Sequence, residues 1–276
     1  MTIGEWLKIR PLKGLHFGYE LEVEGTELPG FVDGFHVVRE GSLRPVDGED
    51  GKEYVFDEPK NYVDTIKHIS ALSKAVEKGN PEFSHRTSVH VHLNVQDMKY
   101  EHYFNMLFLW MMFEPQLLAF CGDARQSNLF CLSSRDAEGL MFALERVAQT
   151  KSINLLNDDI RYSAVNLAAT AKYGTVEFRA MRGTIDCAVI FPWIDALKCL
   201  YTAAQKFDTP KELWEFAYEA GYSEMYNYVF GKLQGFKNLC HEGQRLYMET
   251  LFRLSLIADS VNWAAVVFID EPDDDI

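Results

Sequence analysis

An α+β fold is predicted for this chain: an antiparallel sheet covered by helices on one face and open, with polar groups, on the other. Three observations predict it. Several short segments alternate apolar and polar residues with period two, as half-buried strands do. Long segments with apolar residues at helical spacing separate them. No P-loop, G-x-G-x-x-G or G-x-S-x-G occurs in the sequence, so if a nucleotide binds, a sheet face holds it rather than a glycine loop.

The first strand is Phe17-Gly18-Tyr19-Glu20-Leu21-Glu22-Val23-Glu24, with Glu20, Glu22 and Glu24 on one face. Residues Ile9 to Phe56 continue as strands and turns, with strands at Phe35–Arg39 and Glu53–Phe56 and a halt at Pro59. Tyr62 to Val76 has helical spacing at Val63, Ile66, Ile69, Leu72 and Val76, and Gly79-Asn80-Pro81 stops it. Ser88–Val95 is a strand with His90, His92 and Asn94 on one face. Tyr103–Phe120 is a strongly apolar helix, expected to be buried, and Gly122–Asn128 is a polar loop. A helix over Asp136–Val147 is expected to turn Leu140, Phe142, Ala143 and Val147 inward. Ile160–Leu167 leads to Tyr173–Arg179, a further period-two strand with Thr175, Glu177 and Arg179 on one face. An apolar helix follows over Ala188–Phe207. Thr209-Pro210-Lys211-Glu212 is a specific helix start, with a cap, a Pro at the first position and a Glu three residues after the cap. Two more helices are expected near Glu224–Lys232 and Glu242–Asp259.

Composition bounds the function classes. With 276 residues, 47% of them hydrophobic, the chain can bury a sizeable core as one large domain, with or without an appendage. Its net charge of −14 argues against a broad nucleic-acid footprint and is compatible with an acidic, metal-binding site. No apolar run reaches the length expected of a bilayer span. Met1–Lys8 lacks the charged-then-apolar pattern of an export signal. A cytoplasmic protein without a membrane partner is therefore expected. The five cysteines are scattered and form no C-x-x-C pair, so they read as small core residues of a reducing compartment.

The chemistry lies on three of these strands. They carry E-x-E-x-E (Glu20, Glu22, Glu24), H-x-H (His90, His92) and E-x-R (Glu177, Arg179), each opposed by an apolar face. Paired in one antiparallel sheet, they make a cleft of carboxylates, imidazoles and an arginine. Each pattern alone has a plainer explanation. An acidic row is most simply a solvated face, H-x-H a polar sheet face, and E-x-R a cross-strand ion pair. Together they suit phosphoryl-transfer chemistry, in which Mg²⁺ or Mn²⁺ takes carboxylates and an arginine holds a phosphate bidentately. H-x-H plus a glutamate is also the ligand set of a zinc or iron enzyme.

An ordered series of motifs is specific enough to suggest a family. Phe17–Glu22, Glu40–Leu43, Glu53–Val55, Val89–His92, Arg125–Asn128, Arg161–Leu167, Thr175–Arg179 and Gly183–Asp186 follow one another as in the amidoligases, which the chain resembles over about residues 15–205. The resemblance implies a curved sheet with the catalytic fold of glutamine synthetase and glutamate–cysteine ligase. It implies an ATP-dependent ligase that joins a carboxylate to an amine, of amino-acid or peptide-like substrates, through an acyl phosphate. By the resemblance Glu20, Glu22, Glu53, Glu177 and His92 hold metal, and His90 and His92 lie at the metal or the nucleotide phosphates. Arg179 stabilises the transferring phosphoryl group, and Arg125 and Arg161 contact anions. The family's turn reads Asp-Gly-Ser-Leu where this chain has Glu40-Gly41-Ser42-Leu43; the charge is kept with a longer reach, and whether Glu40 takes part in the site stays open on the sequence. Glu24 lies beyond the shared motif and is expected at a solvated strand end.

Residues 1–207 are expected to form the catalytic domain, 208–269 a helical extension packed on it, and 270–276 an acidic tail. Two other function classes stay open on the sequence: a metal-dependent hydrolase or oxygenase using His90, His92 and Glu177, and an inactive interaction module. The substrates and the oligomeric state are not encoded in any motif.

Overall fold

Burial orients the first strand, β1 (Phe17–Gly25): Phe17, Tyr19, Leu21 and Val23 are each at most 1% exposed, so the glutamates between them face the other way. The computed structural model describes residues 1–39, 41–46, 48–125, 128, 129, 131–152, 156, 162–231, 233 and 241–263. The other strands are β2 (Phe35–Arg39), β3 (Asp50–Phe56), β4 (Pro81–Glu82), β5 (Ser88–Asn94), β6 (Val165–Asn166) and β7 (Thr175–Arg182). They form one open sheet in the order β2-β3-β1-β5-β7-β6, with β4 paired to the end of β1. The pairings between these strands are antiparallel, consistent with an α+β fold.

The helices are α1 (Ile3–Trp6), α2 (Tyr62–Glu77), α3 (Tyr100–Cys121), α4 (Glu138–Thr150), α5 (Ala168–Tyr173), α6 (Cys187–Ala204), α7 (Pro210–Phe230) and α8 (His241–Ser260). The apolar sheet face shares one core with them. Trp110 of α3 lies 5.0 Å from the Phe178 ring of β7, and Phe17 lies 6.2 Å from Tyr62 at the start of α2. Almost every α3 side chain is buried, as a helix hydrophobic all round must be. Asn105, a buried amide of α3, donates to the carbonyls of Ala204 (3.0 Å) and Phe207 (2.7 Å), tying α3 to the end of α6. Phe113 further along α3 meets Tyr222 and Phe230 of α7 and Tyr247 of α8 at 5.8, 5.2 and 6.3 Å.

Several expectations need correction. α1, β4 and α5 are too short to leave a periodic trace. Phe142 of α4 is 61% exposed rather than inward, and Leu144 fills the inward position. α7 does begin at the predicted cap, with Thr209 Oγ1 accepting from the Glu212 amide at 3.2 Å. It then runs on through Gly221, whose φ of 73° breaks the helical geometry just before the helix expected at Glu224. α3 and α6 are each long and apolar enough to cross a membrane, contrary to the composition-based expectation. The fold buries 83% of the most apolar window of α3 and 50% of that of α6, which is what a core helix also shows. The acidic tail 270–276 lies outside the described residues.

One irregularity matters for the site. Between β5 and β7 the register passes from Val91↔Phe178 to Val89↔Met181, so Arg179 and Ala180 together stand opposite His90. This is a β-bulge on β7, and it leaves backbone groups unpaired by the neighbouring strand. Arg125, 2% exposed, uses them: its Nη2 donates to the Arg179 carbonyl at 2.7 Å and its Nε to that of Ala180 at 3.3 Å.

Glu114 of α3 gives a first testable consequence. It is fully buried and accepts from the Ser134 amide (2.9 and 2.8 Å), from Ser134 Oγ and from Trp110 Nε1 (3.0 Å). Burial pushes its carboxyl up to about 7, against hydrogen bonds that pull it down. The raised value means that the native state holds the proton more tightly than the unfolded chain. Stability is thus full below the ordinary value of 4.5 and declines as pH rises towards 7. The expected loss is about 3 kcal/mol over that window. Denaturant unfolding at pH 5 and pH 8 should show this loss in the wild type and its removal in Glu114→Gln, whose amide can still accept from Trp110 and donate to Ser134 Oγ.

Candidate functional site

The antiparallel register carries the polar faces into one row. Glu20 of β1 stands opposite His90 of β5, Glu22 opposite Glu53 of β3, and His92 of β5 opposite Glu177 of β7. Cross-strand neighbours are about 5 Å apart and alternate residues about 7 Å, so these side chains converge. They line a single cleft of about 680 Å³ with Ser88, Asn166 and Arg179, walled by Ser42 and Arg86 and by Ala168, Ala169, Ala171, Lys172 and Tyr173 of α5.

Glu20 is the centre of the hydrogen bonding. Its Oε2 accepts from His90 Nδ1 at 2.9 Å and its Oε1 from His92 Nε2 at 3.2 Å. His92 Nδ1 lies 3.1 Å from Thr175 Oγ1. Ser88 Oγ donates to Glu22 Oε2 and lies 2.8 Å from His90 Nε2. On β7, Glu177 accepts from Asn166 Nδ2 at 2.6 Å and from Arg179 Nη1. His90 Nδ1 is also 3.5 Å from Glu177 Oε1.

The charges follow from this geometry. Burial works to raise the Glu20 carboxyl, but hydrogen bonds from His90 and His92, with their charge, outweigh it and hold Glu20 well below the usual carboxylate range. Glu177 is lowered in the same way: His90, His92 and Arg179 overcome its burial. Burial alone would lower His92, yet the bond to Glu20 and the nearby carboxylates raise it. Glu20 and Glu177 are thus held as carboxylates by their imidazole and guanidinium neighbours.

Protons compensate such a site in the absence of metal, and divalent ions can replace them. Among the described residues, two groups bring ligand atoms within 4.8 Å of one another: Glu20, Glu53 and His90, and Glu20, His92 and Glu177. Each offers two carboxylates and one imidazole, a hard, oxygen-rich set that suits Mg²⁺ or Mn²⁺ completed by waters and phosphate oxygens. Glu20 belongs to both groups. Neither unites His90 with His92, so the two-histidine, one-carboxylate arrangement of iron oxygenases is not among them. Beside the second group, Arg179 Nε is buried with no hydrogen-bond partner, a donor suited to a ligand oxygen.

The sequence-predicted residues thus divide. Glu20, Glu22, Glu53, His90, His92, Glu177 and Arg179 line one cleft. Arg125 does not: its guanidinium faces the β7 carbonyls, so it supports the strand that carries Arg179 rather than contacting an anion in the cleft. Glu24 is neither solvated nor in the cleft; it is 5% exposed and accepts from the Arg44 amide at 2.9 Å, fastening the loop after β2. Arg161 and Glu40 lie outside the described residues. Ser88 went unpredicted although it shares the face of His90 and His92, two residues earlier on the same period. Arg86, whose Nη1 donates to the Ser42 carbonyl at 3.4 Å, and Asn166 gave no periodic signal.

A family model described as "putative amidoligase enzyme" matches residues 58–200, more than half of the chain. The matched range contains His90, His92, Asn166, Glu177 and Arg179; β1 and β3, with Glu20, Glu22 and Glu53, precede it. No curated protein matches the chain.

Proposed function

Since the chain belongs to the putative amidoligase family, a family of amide-bond-forming enzymes, we propose that it is an ATP-dependent carboxylate–amine ligase working through an acyl phosphate. The proposal includes a glutamine synthetase-like catalytic fold. The observation that carries it is the convergence of two metal-capable groups sharing Glu20 beside a guanidinium in one open cleft.

In this reading Glu20, Glu53 and His90 would hold one divalent ion and Glu20, His92 and Glu177 a second. Bound there, Mg²⁺ or Mn²⁺ supplies charge neutralisation for the triphosphate. Ser88 and Asn166 orient Glu22 and Glu177 through their hydrogen bonds. The substrate carboxylate attacks the γ-phosphorus, its oxygen forming the new P–O bond as the bond to the β–γ bridging oxygen breaks and ADP leaves. Arg179, steered by Glu177, faces the charge that develops on the transferred group. The amine nitrogen then attacks the acyl carbon, the C–O bond to phosphate breaks, and the amine's proton passes to a carboxylate of the cleft. The alanine-lined α5 wall leaves room for substrate, an amino acid or peptide-like acid and amine.

ADP release should be followed after adding ATP, Mg²⁺ or Mn²⁺ and panels of acids and amines. The expected result is turnover that needs acid, amine and metal together. Arg179→Ala should reduce it by about a thousandfold. Failure of ATP to bind in the presence of either metal overturns the proposal.

A further inference from the structure

α8 is apolar on two sides, although a surface helix needs only one such side to dock on its own fold. Leu246, Tyr247, Leu251, Leu254, Ile257 and Ala258 face inward and are at most 5% exposed. Met248, Phe252 and Leu256 form a second stripe that faces out, at 39%, 60% and 66% exposure. They are spaced four residues apart, one above the other on a single line of the helix. The stripe is bounded by charge. Arg245 lies seven residues before Phe252 and Asp259 seven residues after it, two turns away in each direction and on the same face. Both side chains are more than half exposed.

This arrangement is self-complementary. We propose that α8 pairs antiparallel with α8 of a second copy of this chain, with Phe252 on the twofold axis. Met248 then meets Leu256 of the second copy, and Arg245 meets its Asp259. A twofold contact of this kind repeats every pair by symmetry, so two apolar pairs and two ion pairs close around the central phenylalanines. A parallel pairing would set Arg245 against Arg245 and Asp259 against Asp259, so the charges select the antiparallel one. At the margin, Glu249 pairs within the chain with Arg135 at 3.0 Å and Arg253 at 3.1 Å. A two-helix contact falls at the small end of protein interfaces, so association is expected to depend on concentration. The face lies on α8, which contributes nothing to the cleft, and the inference stands apart from the proposed chemistry.

The experiment is sedimentation equilibrium of the full chain over a wide concentration range. The mass is expected to rise from one to two chains. Phe252→Glu should hold it at one chain, with circular dichroism unchanged because the side chain is mostly exposed. Charge exchange gives the sharper reading, since Arg245 also pairs with Glu242 at 2.6 Å and Asp259 with Lys211 at 3.4 Å inside one chain. Arg245→Glu and Asp259→Arg should each weaken dimerisation at least tenfold, and the double variant should recover it. Only pairing between copies predicts that recovery, because the intrachain partners are not exchanged. A single-chain mass at every concentration, a dimer indifferent to Phe252→Glu, or a double variant weaker than both singles would each overturn the proposal.

Discussion

Glu20→Gln is expected to abolish metal-dependent turnover, by about a thousandfold or more, while the protein stays folded. The substitution keeps the shape of the side chain and removes its charge. Its effect exceeds that of neighbouring carboxylates because, among the described residues, Glu20 alone belongs to both metal-capable groups. Glu53→Gln touches one group only and should cost about ten- to a hundredfold. The comparison is the test: equal losses for the two variants would refute the sharing of Glu20. A spectroscopic check is independent of activity. His92 is raised because Glu20 bonds to it, so in Glu20→Gln its titration should move down, towards or below that of an ordinary histidine. An NMR titration of the metal-free protein in which His92 does not move would disprove the assignment of Glu20 as its partner.

Arg125→Met should be felt first as a loss of stability, of about 3 kcal/mol. Met fills much of the volume but leaves the carbonyls of Arg179 and Ala180 without their buried donor. Arg125→Lys cannot reach both carbonyls from one ammonium and should recover only part of that loss. Denaturant unfolding midpoints measure it. An Arg125 variant of normal stability that binds ATP less tightly would restore the anion-contact role and refute the supporting one.

Legibility in the sequence tracks how local the cause is. Alternation along a strand is enforced by its own buried face, so Glu20 and Glu22, His90 and His92, and Glu177 and Arg179 could be placed on common faces before any pairing was known. Ser88 obeys the same alternation and was passed over only because a serine advertises little chemistry. What escaped depends on distant partners. Glu24 continues the acidic row, yet the loop that buries it is fastened by Arg44, twenty residues on. Arg125 carries the residue type of an anion contact, and its actual partners are two carbonyls more than fifty residues away. The bulge at Arg179–Ala180 has no signature in the alternation before it, and past that point the count of inward and outward residues changes: Met181 joins the core. Phe142 is apolar without being inward because α4 packs through Leu144 and Val147 instead.

The order of the strands in the sheet has a consequence for the time at which the site comes into being. Glu20 is synthesised seventy residues before its partner His90, and Glu177 comes only later, on β7. Until then a nascent chain carries carboxylates without the groups that gather them, and a divalent ion finds no more than scattered, weak ligands. Closing the long loops between these strands has to precede any reward from metal. In the proposed metal-bound form, binding would therefore come at the end of folding, and the ion would act as a lock on the completed protein rather than as the seed of its assembly.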